Sequence, residues 1–413
     1  MINITTILKH NVIGKLLNHL IVFFINVYIV RLLGASESGF YFNELYVLNF
    51  VVFIFSAGLD YAAIALLAQQ PKLLSILNKM LLGVVAVFAA LIFLYAYFIL
   101  PSTTQYFKQP AIAITLFSIG NLLLIFYQGI LSALKKFNLQ NILLGACNLL
   151  FLAYLMFLFK PGDTNFLQKI STSYAILLFL QGLLMFFFSI SFTRTTETGV
   201  SVNWLLFIRS GIYIMISSLV YFAFLRVDNF FVERYADNIT LGNYVQCGKI
   251  GQYFLYFSSI ISSTLLPFIS TETVGASFIE WRKMMKPYII LLCIAALIIA
   301  LTGNYIFPIL FGDDFKEMYS LMLILLPGFV CLGMLTLLNA VYIGKGNIRR
   351  MFLGDLLGLA LVLLFDALLV PQYGAYVAAI ISSTAYCLVF LFLLSSFKKQ
   401  FSLPSKRSSF VQL

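Results

Sequence analysis

Three ionisable side chains, Arg226, Asp228 and Lys249, stand inside long apolar stretches of this chain. An ammonium or carboxylate in hydrocarbon needs a partner, a water-filled cavity or an ion of opposite charge. Lys249 is the sharpest case. It lies about ten residues, roughly 15 Å, from the outer end of its apolar run, too deep for its stem to carry the charge easily to an interface. It can serve as an anion site in a cavity or as the structural partner of Asp228. Arg226 and Asp228 are two residues apart, about 200° around a helix, so they are expected to face different ways. One would flank a polar space and the other pair across a helix interface. Asp60 is a fourth such charge, able to bind a coupling cation or substrate, or to neutralise a nearby lysine.

Uncharged polar residues extend the pattern. Projected at about 100° per residue, Asn11, Lys15, Asn18, His19 and Asn26 share one arc of a helix. Gln246, Lys249, Gln252, Tyr253, Tyr256 and Ser263 form a second stripe. Asp355 and Asp366, eleven apart, share a helix face near the ends of an apolar run. Either is able to relay protons, but solvated carboxylates are ordinary there, so a structural role is the expectation for both.

Several chemistries are excluded. The string Gly242–Asn–Tyr–Val–Gln–Cys–Gly248–Lys249 has the wrong spacing for a phosphate-binding loop, and HExxH and GxSxG are absent. The outer loops are too short for a catalytic domain, so no enzyme is expected. Five scattered cysteines and two histidines suggest neither a disulfide framework nor a metal centre, and no cofactor is expected.

The elements that carry these residues are membrane spans. Hydrophobic residues make up 62% of the chain and charged residues 10%, against about 25% charged in soluble domains. A net charge of +11 might suggest nucleic acid, but the charges sit in short loops between apolar runs, so no nucleic-acid partner is expected and the lipid bilayer is. With about 20 residues per crossing, twelve spans are predicted: roughly 12–33, 40–67, 80–100, 111–134, 139–159, 167–192, 204–232, 240–270, 287–310, 318–343, 348–370 and 374–397. The most polar interruption, 193–203, divides a six-helix lobe over 1–192 from a second over 204–397, with a basic tail at 398–413. Eighteen of the 26 Lys and Arg fall on one side of this topology and six on the other. The positive-inside rule therefore places both termini in the cytoplasm.

The two lobes are duplicates. Arg31, Gly39 and Tyr41 recur as Arg234, Gly242 and Tyr244, each 203 positions later. Lys135 and Pro161 recur as Lys345 and Pro371 at an offset of 210. Six spans per half give both halves the same orientation, the parallel kind of repeat, whose substrate site lies between lobes. A shift of 203 also brings Tyr46, Asn49, Phe53, Ser56 and Asp60 onto Lys249, Gln252, Tyr256, Ser259 and Ser263. Equivalent faces are thus expected to line one central lumen. The duplicated turn is expected outside it, with Arg31 and Arg234 as interfacial anchors.

At that turn the sequence resembles the polysaccharide-unit flippases of the O-antigen type. These belong to the multidrug, oligosaccharidyl-lipid and polysaccharide exporter superfamily. The matching pieces are Tyr28–Ile–Val–Arg31–Leu–Leu–Gly34 with Gly39–Phe–Tyr41, Ser56–Ala–Gly58–Leu–Asp60, Leu225–Arg226–Val–Asp228, Leu241–Gly242–Asn–Tyr244 and Phe311–Gly312–Asp313–Asp314–Phe315. They occur in order along nearly the whole chain. The resemblance implies an all-α protein of the bacterial inner membrane that moves an undecaprenyl-pyrophosphate-linked oligosaccharide to the periplasmic leaflet by alternating access. It implies a cation-lined lumen, with Lys249 and Arg226 on the pyrophosphate and Gln252, Tyr253, Tyr256 and Asn18 on the sugars. Asp60 or Asp228 would couple transport to a proton or sodium gradient. A polysaccharide polymerase and a chain-length regulator are the implied partners. A drug or cation antiporter on the same scaffold is the alternative.

Overall fold

A computed structural model describes residues 4–69, 71–99, 109–158, 166–192, 204–271, 274–344 and 348–401. Residues 193–203, Pro161, Lys345 and the tail beyond 401 lie outside the described residues, so the linker and the 210-residue offset are read from sequence alone. The α-helices among these described residues are α1 (Ile4–Ser56), α2 (Leu59–Gln69), α3 (Leu74–Leu94), α4 (Ala111–Ala133), α5 (Phe137–Leu158), α6 (Phe166–Ile190), α7 (Trp204–Tyr235), α8 (Asn238–Thr271), α9 (Val274–Phe311), α10 (Glu317–Gly344), α11 (Ile348–Tyr373) and α12 (Ala375–Phe401). No strand occurs among the described residues. This follows from the solvent, because backbone polar groups in lipid must be satisfied within the segment.

The chain is an all-α integral membrane protein. Among the described residues, ten helices are long and apolar enough to cross a membrane. α1, at 53 residues, is long enough for two crossings, and α8 has the length but carries the polar stripe of Gln246, Lys249 and Gln252. The two halves of α1 meet at Gly34, whose backbone (φ 72°, ψ 179°) is not helical and is a conformation open essentially to glycine. Counting 203 onward from Gly34 reaches Asp237, which lies between α7 and α8. The duplicated turn is therefore a hinge residue in one half and a capped break in the other. Asp237 accepts hydrogen bonds from the backbone N–H groups of Ile239 at 2.9 Å and Thr240 at 3.0 Å. Those bonds hold its carboxyl below the usual range.

The second span departs from the sequence expectation. Between α1 and α2, Ala57 (φ 48°) and Gly58 (φ 64°) both adopt left-handed backbone, and the Ser56 hydroxyl accepts the Gly58 N–H at 3.4 Å. Asp60 thus belongs to the first turn of a new half-length helix. It is not on one continuous face with Tyr46, Asn49 and Ser56, as the 203-residue projection had it. The partner helix α8 runs unbroken through the equivalent Ile260 and Ile261. The break is packed against α7 backbone to backbone: a Cβ on Gly211 would lie 2.7 Å from the Ala57 carbonyl oxygen.

The chain divides into two compact units, Met1–Leu219 and Val220–Leu413, so α7 contributes to both. In the first, α4 packs on α1, α2, α3, α5 and α6; in the second, α10 packs on α8, α9, α11 and α12. Each unit is built round its fourth crossing, as a duplication requires. Apolar burial gives little drive between helices in lipid, so small residues and amide bonds hold them. Gly120 and Gly182 bring α4 against α6. Asn121 bonds Asn49, Gln181 donates to Asn148 at 2.8 Å, and Asn18 donates to the Asn141 carbonyl at 3.0 Å.

Two measurements check these assignments. A Cβ at Gly120 would meet the Phe179 backbone nitrogen at 2.5 Å, whereas one at Gly83 meets nothing within 4 Å. Gly120→Ala should lower stability by about 1–3 kcal/mol, and Gly83→Ala should stay within about 0.5 kcal/mol, as read from thermal unfolding in detergent. Asp237→Ala should cost about 1 kcal/mol through loss of the cap. Because the folded carboxyl is depressed, that contribution is present above the ordinary carboxylate range and fades as pH falls through it. A titration of stability should show wild type and variant converging in acid.

Candidate functional site

The charges of the second unit converge where α7, α8, α10 and α12 meet. Asp228 on α7 is 4% exposed. Its Oδ2 accepts the Tyr244 hydroxyl at 2.6 Å and the Ser382 hydroxyl at 2.8 Å, and its Oδ1 accepts the Asn229 backbone N–H at 2.9 Å. Beside it lies a cavity of about 20 Å³ lined by Arg226, Asp228, Asn229, Tyr244, Gln252 and Tyr386, with Gly248, Gly251 and Phe329 among its walls. That is room for about one water molecule.

Arg226 and Asp228 both line this cavity, which corrects the expectation that they face apart. The angular argument holds for Cβ directions, but the arginine stem is long enough to bring its head round. The guanidinium lies over α8 at Gly248, where a Cβ would stand 2.7 Å from Nη1. Glycine at 248 is what admits it. Lys249, next along α8, is half-buried and interacts electrostatically with Arg226. Asp228 also lies within reach of the arginine charge. Gln252 lines the cavity, while Tyr253 and Tyr256 form an edge-to-face ring pair, centroids 5.8 Å apart at 85°.

Of the residues singled out by sequence, Arg226, Asp228 and Gln252 are brought together, with Lys249, Tyr253 and Tyr256 on the same helix α8. Asn18 and Asp60 belong to the first unit. Asn18 ties α1 to α5, and its Oδ1 has no partner among the described residues. Asp60 sits at the start of α2, where the helix N-terminus favours a negative charge.

Four residues have surroundings that the sequence reading did not assign them. Tyr244 belongs to the duplicated turn, which was expected outside the site, yet it holds the central carboxylate. Its counterpart Tyr41 is equally buried, but position 25, the counterpart of Asp228, is an isoleucine. Ser382 looked like any serine in an apolar run. Asp355 and Asp366, expected to be solvated near span ends, are both 0% exposed, and neither carboxyl has a hydrogen-bond partner among the described residues. Each lies seven residues inside α11 and faces inward. Asp366 interacts electrostatically with Asp228 and Tyr244, and Asp355 with Tyr221. Their eleven-residue spacing was the available signal, since it puts both on whatever face the neighbours cover.

This arrangement can bind charge of either sign. Arg226 and Lys249 offer an anion donors in a low-dielectric setting. The carboxyls of Asp228 and Asp366, with the Tyr244 and Ser382 hydroxyls, offer oxygen atoms to a proton or small cation.

No protein-family model matches the chain, and no curated protein matches it in sequence. Solved structures do. A lipid II flippase, MurJ, in an inward closed conformation superimposes with a TM-score of 0.74 at 15% identity, covering 94% of this chain and 87% of that one. An inward-facing multidrug resistance transporter of the MATE family, in the MOP superfamily, gives 0.68 at 12% identity, covering 92% and 96%. The MATE transporter VcmN of Vibrio cholerae in a bent form gives 0.68 at 13% identity, covering 96% and 97%. The likeness is one of fold.

Tyr244→Phe removes one of the two hydroxyls on a buried carboxylate, and should cost about 1–3 kcal/mol. In an Asp228→Asn background the same change should cost less, with a coupling of about 0.5–3 kcal/mol. Thermal unfolding of the two single variants and the double variant in detergent measures that coupling.

Proposed function

We propose that the chain is a flippase that moves an undecaprenyl-pyrophosphate-linked oligosaccharide, an O-antigen or related surface polysaccharide unit, from the cytoplasmic to the periplasmic leaflet of the bacterial inner membrane. The observation that carries this reading is the pairing of Arg226 with Lys249 deep inside a transporter unit of flippase-like architecture. Arg226 and Lys249 together offer positive charge to an anionic group, and a pyrophosphate headgroup entering from the membrane interface is such an anion. Gln252, Tyr253 and Tyr256 supply amide, hydroxyl and ring surfaces of the kind that bind sugars. Asn18 has a carbonyl oxygen to offer a sugar hydroxyl.

In this reading Asp228 and Asp366 couple transport to a proton or sodium gradient. Binding a cation there neutralises carboxyls next to Arg226 and so changes its pull on the headgroup. Asp60 is the corresponding candidate in the first unit. Both termini are cytoplasmic, as the Lys/Arg distribution favours, and the polymerase and chain-length regulator act on the delivered unit. The runner-up is a drug or cation antiporter, favoured by the three buried acids Asp228, Asp355 and Asp366, and by the MATE-family neighbours.

Lys249→Ala should leave the protein in the membrane and abolish surface polysaccharide, read by gel profile of extracted polysaccharide. Normal polysaccharide would remove Lys249 from the mechanism. A deletion strain that keeps its polysaccharide but becomes drug-sensitive would favour the antiporter.

A further inference from the structure

Asp355 is a buried acid that the transport cycle above leaves unused. Its side chain is 0% exposed, and neither carboxyl oxygen has a hydrogen-bond partner among the described residues. No cation among them compensates it. The walls around it are apolar. One residue before it, Gly354 brings α11 against Leu393 of α12, and one turn after it, Gly358 brings α11 against Phe224 of α7 and Val389 of α12. The two glycines let the neighbouring helices close over the carboxyl between them.

That setting decides what the carboxyl holds. An ionised carboxylate without donor or counter-charge is far more costly to bury than a neutral acid, so a group so placed takes up a proton. A metal ion would need several oxygen ligands, and the polar neighbours here are two hydroxyls. Tyr221 of α7 interacts electrostatically with both Asp355 and Arg226, and its hydroxyl is hydrogen-bonded to Thr336 of α10. Tyr221 precedes Phe224 by one turn, as Asp355 precedes Gly358, so α7 and α11 lie in register along this stretch. The other titratable groups around it are engaged elsewhere. On α10 the Tyr342 hydroxyl donates to the Leu393 carbonyl at 2.9 Å, and on α11 Arg350 donates to the Ser396 carbonyl at 3.4 Å. On α12 Tyr386 interacts with Asp228 and Tyr221. Asp366 is eleven residues on, about 16 Å along the same helix.

We propose that Asp355 is an exchangeable proton site, separate from the Asp228–Asp366 site, whose charge is felt at Arg226 across Tyr221. With the proton bound, Asp355 is neutral and Arg226 keeps its full pull on an anion. When the O–H bond breaks, the proton passes to water at the near end of α11 and the carboxylate draws the Tyr221 hydroxyl. Its negative charge then offsets that of Arg226, so proton release at Asp355 favours anion release, and anion binding favours proton uptake. This holds whichever substrate the transporter carries.

The test is infrared spectroscopy of the full chain in proteoliposomes, comparing wild type with Asp355→Asn, which keeps the shape and cannot ionise. The difference at neutral pH should contain the C=O stretch of an un-ionised carboxylic acid, displaced in heavy water. That band should give way to carboxylate bands between about pH 5 and about pH 9, where buried carboxyls titrate. Tyr221→Phe removes the hydroxyl that the carboxylate draws and should move the midpoint about one pH unit higher, a tenfold change in proton affinity. Arg226→Gln removes the positive charge beyond it and should move the midpoint the same way. Tyr342→Phe should leave it in place. Monodisperse behaviour in detergent checks that each variant folds. Absence of an Asp355-dependent acid band would mean an ionised carboxyl and overturn the proposal. A band indifferent to both pH and heavy water would mean a sealed structural acid and overturn it equally. A midpoint unmoved by Tyr221→Phe and Arg226→Gln would overturn the link to the anion site. None of these readouts involves transport, so failure of the flippase reading would not alter them.

Discussion

In a hydrocarbon solvent, helices gain little by hiding apolar side chains from lipid, so their fixed arrangement depends on small residues and on polar groups that must find each other. In the second unit one such closure centres on Asp228. Its carboxylate takes a hydroxyl from α8, a hydroxyl from α12 and a backbone N–H from its own helix, so three elements meet at one acid. Arg226 can lie beside it only because Gly248 leaves space on α8. The cavity, the approach of Lys249 and the inward turn of Asp366 all follow from that junction. A group that holds helices together and also carries charge cannot change its ionic state without loosening or tightening the helices it joins.

The units share a plan and differ in chemistry. Each is centred on its fourth crossing and each has a deeply buried tyrosine at the duplicated turn. The first unit is closed by neutral amide pairs, Asn49 with Asn121, Asn148 with Gln181, and Asn18 with the Asn141 carbonyl. The second gathers arginine, lysine and aspartates.

Much of this was legible in the sequence because it is periodic. Span positions follow from apolar runs, and the 203-residue offset pairs Tyr41 with Tyr244, both of which are buried. Arg226, Asp228 and Gln252 stood out as polar groups in apolar surroundings. What stayed hidden depends on neighbours that are distant in sequence. A helical projection gives the direction of a Cβ, not the reach of an arginine, so it separated Arg226 from Asp228. It gives no account of what covers a face, so Asp355 and Asp366 looked solvated. It also assumes an unbroken helix, and therefore carried Asp60 onto a stripe that ends at Ser56.

The break at Ala57–Gly58 makes the second span two rods joined end to end. Its joint is roofed by Gly211, so bulk at either position must displace α7 or the joint itself. Each clash is with backbone atoms, so trimming a side chain at one position cannot make room for one at the other, and the same contact demands glycine twice.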